Sequence, residues 1–466
     1  MGETVEHISR VRFVATEPIN FLIAAVQGAL STLRTLYAQD SLAQHYNYSI
    51  NHYNLNGTCS DGDVTDHLEK QIQSETAWWN TWLAVLSGLP PVVTATFLVA
   101  ASSFTGRKPI LIIGVVCHLI APLIFLLVAL FGLPLSLTLL GAAVLGLGGD
   151  IEGVITVSLA YVADSSVGKS RTQRIVVLTL MYEAGWGCGQ TLGGLILGYS
   201  NNFPVSFAFP TILAVINIAY TTWPGLVLET VPKREPLRIG TILQKSFDSL
   251  AGFCTRFERR KRTNVVILTV IICLVRFVRG SIFDVVVIYS LGKPFCWTAI
   301  FVGCFNASVA LVPAAIATIV TKPLLKCFSE HWLIHFGLVS FIAQLITCAL
   351  AENTTQLAFI GLLRSLPEPL GRNLISRLDS AEERDAAFSM LAVPLSLAIG
   401  LSYLFFDGQF TYTVSIGMTP VTFYVAAAIL VIPMVLTGTI GPCPSLYIKL
   451  ECGIEDIHVN RDAHEH

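Results

Sequence analysis

The sequence predicts an all-α integral membrane protein, about twelve transmembrane helices in two six-helix halves, and three observations predict it. Of 466 residues, 53% are hydrophobic and only 13% charged, whereas soluble domains carry about 25% charge; mean hydropathy is +0.66. Apolar runs long enough to cross a bilayer, about 20 residues each, recur along the chain. A single long polar interruption, residues 229–264, divides these runs into two blocks and carries nine Lys and Arg, including Arg259, Arg260, Lys261 and Arg262. Such a basic bridge stays on the cytoplasmic side.

The polar tail 1–17 precedes the first apolar run, which is too long for a cleavable signal and lacks a small-residue cleavage site. Within the first half, 18–228, spans are expected near 18–38, 78–102, 109–132, 135–163, 175–199 and 205–228. Within the second, 265–441, they are expected near 265–291, 297–321, 332–351, 357–378, 386–406 and 419–441, followed by the tail 442–466. Placing both termini in the cytoplasm assigns 22 of the 29 Lys and Arg to that side and leaves only Lys70 and Lys293 outside, as positive-inside topology requires. The other five, Arg34, Arg276, Arg279, Arg364 and Arg372, fall inside expected spans.

The loop 39–77 is then external. It holds glycosylation sequons at Asn47 and Asn56, and a third lies at Asn353, while Asn306 sits inside a span and is expected to stay unmodified. Eleven cysteines show no metal-ligand spacing. Only Cys59 and Cys296 fall clearly in outward loops, where oxidation is permitted, so a bond between them is expected; two free thiols are the alternative. Neither metal nor cofactor is expected. The absence of a P-loop argues against a nucleotide-driven pump, no catalytic triad or nucleophile motif suggests an enzyme, and no nucleic-acid partner is indicated by a net charge of -2.

The halves echo one another. Gly106-Arg107-Lys108-Pro109-Ile110-Leu111 follows the second span and Thr321-Lys322-Pro323-Leu324-Leu325-Lys326 follows the eighth; Asp164-Ser165-Ser166 follows the fourth and Asp379-Ser380-Ala381 the tenth. Parallel six-helix repeats of this kind are the major facilitator architecture, in which one half rocks against the other around a midplane site. The turn Gly106, Arg107, Lys108 is expected to be a cytoplasmic latch, although topology alone explains its charges equally well.

With Gly149-Asp150, Tyr161-Val162-Ala163-Asp164, Ser170-Arg171-Thr172-Gln173-Arg174, Gly193-Gly194, Tyr289-Ser290-Leu291, Pro294-Phe295-Cys296-Trp297 and Arg372 ahead of Ser376-Arg377-Leu378, the chain resembles the solute carrier 46 family from Glu17-Pro18 to the last span. The resemblance implies a proton-coupled importer of organic anions, with folates, muropeptides and cyclic dinucleotides as candidate cargo, and places the family's external disulfide on Cys59 and Cys296. The chain departs from the family pattern at Ser103 (an acid in the family's latch), Ala142 (an arginine), Thr179 (the fifth-span glutamate) and Arg279 (a histidine). Glu183 lies one turn beyond Thr179 on the same face and stands as its replacement.

Intramembrane charges are costly, about 2.5–3.5 kcal/mol each on insertion scales, and so face a cavity or a partner. The five arginines confront Asp150, Glu152, Glu183, Asp284 and Glu368, a balance that mutual ion pairs would also explain. Arg276 and Arg279 lie about 18 and 22 Å into the seventh span. Arg372 sits beside Gly371 and after Pro367 and Pro369, where a broken helix is expected. Arg372, Arg279, Arg276 and Arg34 are the anion-binding candidates. Glu183, Asp150 and Asp284 are the proton-coupling candidates, Asp284 being off-face from Arg279 and expected in the outer vestibule. Glu152, Arg364 and Glu368 read as packing or rim residues, His118 as a hydrogen-bonded interior histidine, and Trp78-Trp79 as an interfacial anchor.

The expected function is secondary active transport, a proton-coupled symport of a small organic anion by a monomer in the bilayer. A non-transporting receptor or a proton-independent carrier are the alternatives. Tyr447-Ile448-Lys449-Leu450 has the form of a sorting signal, which leaves plasma membrane and endosome or lysosome both open.

Overall fold

The computed structural model describes residues 15–47, 63–165, 168–230, 240, 259–359, 362, 364, 366, 367, 370, 371 and 381–439. Among them there is no strand. Eight helical stretches are long and apolar enough to cross a membrane. Eleven of the twelve expected spans contain a described helix; the tenth, 357–378, lies largely outside the described residues.

The first half opens with α1 (Glu17–His45), whose start is fixed by Pro18 and by Glu17. The Glu17 carboxylate accepts from Ala15 N at 2.9 Å and Thr16 N at 3.0 Å, satisfying amides that precede the helix. The second span is two helices, α2 (Asp63–Gly88) and α3 (Pro91–Thr105), because Pro90 and Pro91 cannot donate to the preceding turn. Next comes α4 (Arg107–Phe131), closed by Gly132 in the left-handed region (φ 61°). The fourth span is also two pieces, α5 (Thr138–Leu147) and α6 (Asp150–Ser165), broken at Gly148 and Gly149. Sequence reading expected one continuous helix over 135–163; Gly149 at φ 81° and Asp150 at φ 47° interrupt it. The half ends with α7 (Gly168–Ser200) and α8 (Phe203–Thr222).

The second half comprises α9 (Arg259–Leu291), α10 (Ala299–Cys327), α11 (Glu330–Ala349), the single turn α12 (Thr354–Leu357), α13 (Ala381–Ser415) and α14 (Val421–Thr439). The expected external loop 39–77 is mostly helical, since α1 runs to His45 and α2 starts at Asp63. Beyond the last turn of α1, the Tyr46 hydroxyl donates to Glu75 at 2.6 Å, and that bond holds the phenol above its ordinary range.

The halves meet where α7 packs on α10 and α2 packs on α13. At the first crossing a side chain on Gly194 would strike Ala299 O at 2.5 Å and Gly303 Cα at 3.0 Å, so the two backbones approach as closely as small-residue contacts permit. Gly185 and Gly189 do the same for α7 on α1, against Phe21 O and Ala25 O. Further bonds between the halves lie at the end where α1 finishes and α2 begins: Lys293 N donates to Glu69 at 3.2 Å and Thr411 to Ser74 O at 3.3 Å. This is the loop end; the opposite end, where α8 finishes at Thr222 and α9 begins at Arg259, is the bridge end. Leu127, Leu130, Leu140, Ile212, Val215, Ile216 and Val435 lie exposed on the outside, an apolar girdle that only a hydrocarbon solvent accommodates.

Candidate functional site

Along α9 three ion pairs tie the second half to three different helices of the first. Arg276 Nη2 meets Glu152 Oε1 of α6 at 2.5 Å, Arg279 Nη2 meets Glu183 Oε1 of α7 at 3.4 Å, and Asp284 Oδ2 receives Arg34 Nη2 of α1 at 3.3 Å. At 1.5 Å rise per residue the ladder spans about 12 Å of the helix axis. Its side chains keep 13–22% of their surface accessible, so the seam between the halves is charged and only partly buried. Guanidinium forks match carboxylate or phosphate ligands well.

Beside the ladder, Asp150 at the α5/α6 break accepts from Gln27 of α1 at 2.8 Å and stands 4.0 Å from His118 Nε2 of α4. His118 Nδ1 bonds Gly114 O at 2.8 Å. Since a carbonyl can only accept, Nδ1 carries a proton and donates it to Gly114 O, while Nε2 faces the Asp150 carboxylate. His118 is thus hydrogen-bonded and buried, as expected, and also next to an acid.

Several expected residues are placed differently from their sequence reading. Asp284, expected in an outer vestibule, instead pairs with Arg34 across the seam. Glu152, read as a packing or rim residue, pairs with Arg276 across the seam, the packing role of the two. Arg364 is buried in packing as expected: its guanidinium carbon lies 4.3 Å from the Phe283 ring centroid and 5.8 Å from that of Phe341, with Nη2 donating to Val309 O.

Sequence reasoning missed Asp407 altogether, because the eleventh span was ended at residue 406. In fact α13 continues to Ser415, and Asp407 is fully buried, accepting from Ser281 of α9. One turn earlier on α13, the Tyr403 side chain lies beside the Arg34–Asp284 pair. The signal available was an acid inside an apolar run reaching beyond the usual length.

At the bridge end, Gly106 (φ 108°) turns the chain so that Glu229 caps α4, accepting from Arg107 N at 2.8 Å and Lys108 N at 3.2 Å. Arg107 Nε reaches Asp164 of α6 at 3.0 Å, and Lys108 Nζ donates to Val227 O at 3.0 Å. These bonds gather α3, α4, α6 and the end of α8 within one half. Arg174 of α7 pairs with Glu17 of α1 at 3.1 Å, both 2% exposed, and donates to Ser165 at 2.8 Å.

Arg372, Glu368, Cys59 and Asn56 lie outside the described residues, as do the side chains of Ser103 and Thr179. Cys296 is disulfide-bonded. Asn47 is the last described residue of its loop, and Asn353 caps α12 by accepting from Gln356 N at 3.0 Å. Trp78 lies half-exposed against Trp82, while Trp79 packs on the core.

No family model matches the chain. The chicken lysosomal proton-coupled steroid conjugate and bile acid symporter SLC46A3 is 26% identical over 378 residues, 79% of this chain and 80% of that protein. The rat proton-coupled folate transporter is 26% identical over 431 residues, 91% of each. A probable peptidoglycan muropeptide transporter of Drosophila melanogaster is 24% identical over 447 residues, 91% of this chain and 84% of its own length. Among solved structures, the human organic anion transporter MFSD10 superposes with a TM-score of 0.64 at 14% identity, covering 91% of this chain and 99% of that one. A POT family transporter solved with 5-aminolevulinic acid also gives 0.64, at 13% identity over 93% and 100%. The chain is thus similar over most of its length to members of the solute carrier 46 family and has the fold of major facilitator transporters.

Proposed function

We propose that the protein is a proton-coupled symporter of an organic anion that works by alternating access, with the α9 ladder as its central machinery. The observation that carries this reading is the Arg279–Glu183 pair at 3.4 Å across the seam. A substrate carboxylate that takes Arg279 or Arg276 displaces Glu183 or Glu152 from its counter-charge, and the released carboxylate then favours the protonated form. Substrate and proton are thereby bound together, the requirement for symport. Asp150 and Asp284 are the other acids proposed for proton coupling, and Arg34 and Arg372 complete the anion-binding set. Folates and bile acids, named for the relatives, carry carboxylates suited to such arginines.

Inter-half contacts at the loop end describe a carrier closed on that side, proposed to be the exterior or lumen, with both termini cytoplasmic. Gly106, Arg107 and Lys108 are proposed to latch the first half together while it rocks. The Cys59–Cys296 bond, glycans on Asn47, Asn56 and Asn353, a monomeric state, and residence in the plasma or endolysosomal membrane belong to the same reading.

Full-length protein in proteoliposomes, given labelled folate, bile acid or muropeptide under an imposed proton gradient, tests it. Accumulation above equilibrium that a protonophore abolishes is expected. Binding without accumulation would indicate a receptor, and equilibration indifferent to the gradient a facilitative carrier.

A further inference from the structure

At the loop end of the seam one cation faces two acids. Asp284 of α9 holds Arg34 of α1 at 3.3 Å, and the second carboxylate, Asp407 of α13, is 0% exposed. Its Oδ1 accepts from the Ser281 hydroxyl, and its Oδ2 has no partner. The ionisable groups set against it are Asp284 from α9, Arg34 from α1 and, on its own helix, the Tyr403 phenol beside that pair. Among the described residues, none of α2, α3 and α14, which also pack on α13, brings a charged group to it. Were both acids ionised, the cluster would carry one negative charge more than Arg34 neutralises, and because Asp407 is fully buried that excess is strongly unfavourable.

We infer that Asp407 carries a proton in this closed conformation, so that Arg34, Asp284 and Asp407 form a one-proton site whose occupancy holds the loop end of the two halves shut. The bare Oδ2 is where the proton resides; uptake transfers one proton from water to that oxygen and leaves the cluster neutral. Loss of the proton restores the excess charge, which is relieved when the seam opens and admits water. The site lies apart from the Arg276 and Arg279 rungs and adds a second proton to the cycle. It rests on the transport reading only for its place in that cycle, since its chemistry is independent of any substrate.

Infrared difference spectra of the full-length protein in liposomes, taken between neutral and alkaline pH, test this without substrate. A protonated-carboxyl C=O band is expected at neutral pH, lost in Asp407→Asn and displaced but present in Asp407→Glu. Asp407→Asn mimics the neutral acid, so it is also expected to keep the loop end closed at alkaline pH, read as an unchanged distance between spin labels at Tyr199 and Tyr412. A band that survives Asp407→Asn, or is lost only in Asp284→Asn, overturns the assignment, as does a loop end that opens normally in Asp407→Asn. If Asp407→Asn does not fold, the Asp407→Glu band decides: no displacement overturns it. Neither readout needs transport, so a failed uptake assay and a failed proton site remain distinct results.

Discussion

Glu152 of α6 and Arg276 of α9 join the two halves at 2.5 Å, though they lie 124 residues apart in sequence. This rung is nearest the bridge end, so its charge pairing is expected to matter whenever the halves re-form their seam. Charge reversal at either position alone, Glu152→Arg or Arg276→Glu, sets like charges together and is expected to reduce substrate uptake at least tenfold. The double reversal restores the pair and is expected to recover a measurable part of that loss, which a double-mutant cycle on uptake rates reads directly.

Glu183 is the acid proposed to exchange its arginine for a proton. Glu183→Gln removes the titratable group while keeping its shape and is expected to abolish acid stimulation of uptake with protein still at the membrane. Exchange of substrate across the membrane without a pH gradient should survive, since it needs no net proton movement. Unchanged pH dependence in this variant removes Glu183 from the coupling step.

Arg174 and Glu17, each 2% exposed, make a buried pair remote from the ladder. Removing one partner leaves the other charge uncompensated, a loss of about 3–5 kcal/mol. Arg174→Ala is therefore expected to lower thermal stability and expression sharply, while the molecules that do fold keep the substrate affinity of the parent. A change in affinity as large as the change in stability would place this pair in the transport site instead.

At the α7/α10 crossing the cost of a side chain is steric. Gly194→Leu would drive carbon into Ala299 O and Gly303 and is expected to prevent the loop end from closing. Cysteine labelling of positions lining the seam should then proceed from the loop side at every pH. Gly194→Ala should show a weaker form of the same effect.

The helical plan was legible because composition and apolar run length determine it: eleven of the twelve expected spans contain a described helix. What the sequence did not disclose was pairing. Arg34 and Asp284 are 250 residues apart, and neither hydropathy nor spacing says which helices will be neighbours. The break at Gly148–Gly149 was visible as a glycine pair but read as part of an apolar run, and Asp407 was excluded by a boundary drawn one residue too soon. The acids and arginines inside spans were recognisable as unusual because the bilayer makes them costly; their partners required the fold.

The rocking of the two halves is read most directly by two distances in one protein. Pairs of spin labels at Tyr199 and Tyr412 report the loop end, and pairs at Trp223 and Trp332 the bridge end; all four side chains are exposed and each pair spans the halves. As pH is raised across the range where uptake falls, the loop-end distance should lengthen while the bridge-end distance shortens. Distances that stay fixed, or lengthen together, would contradict a carrier that opens to one side at a time.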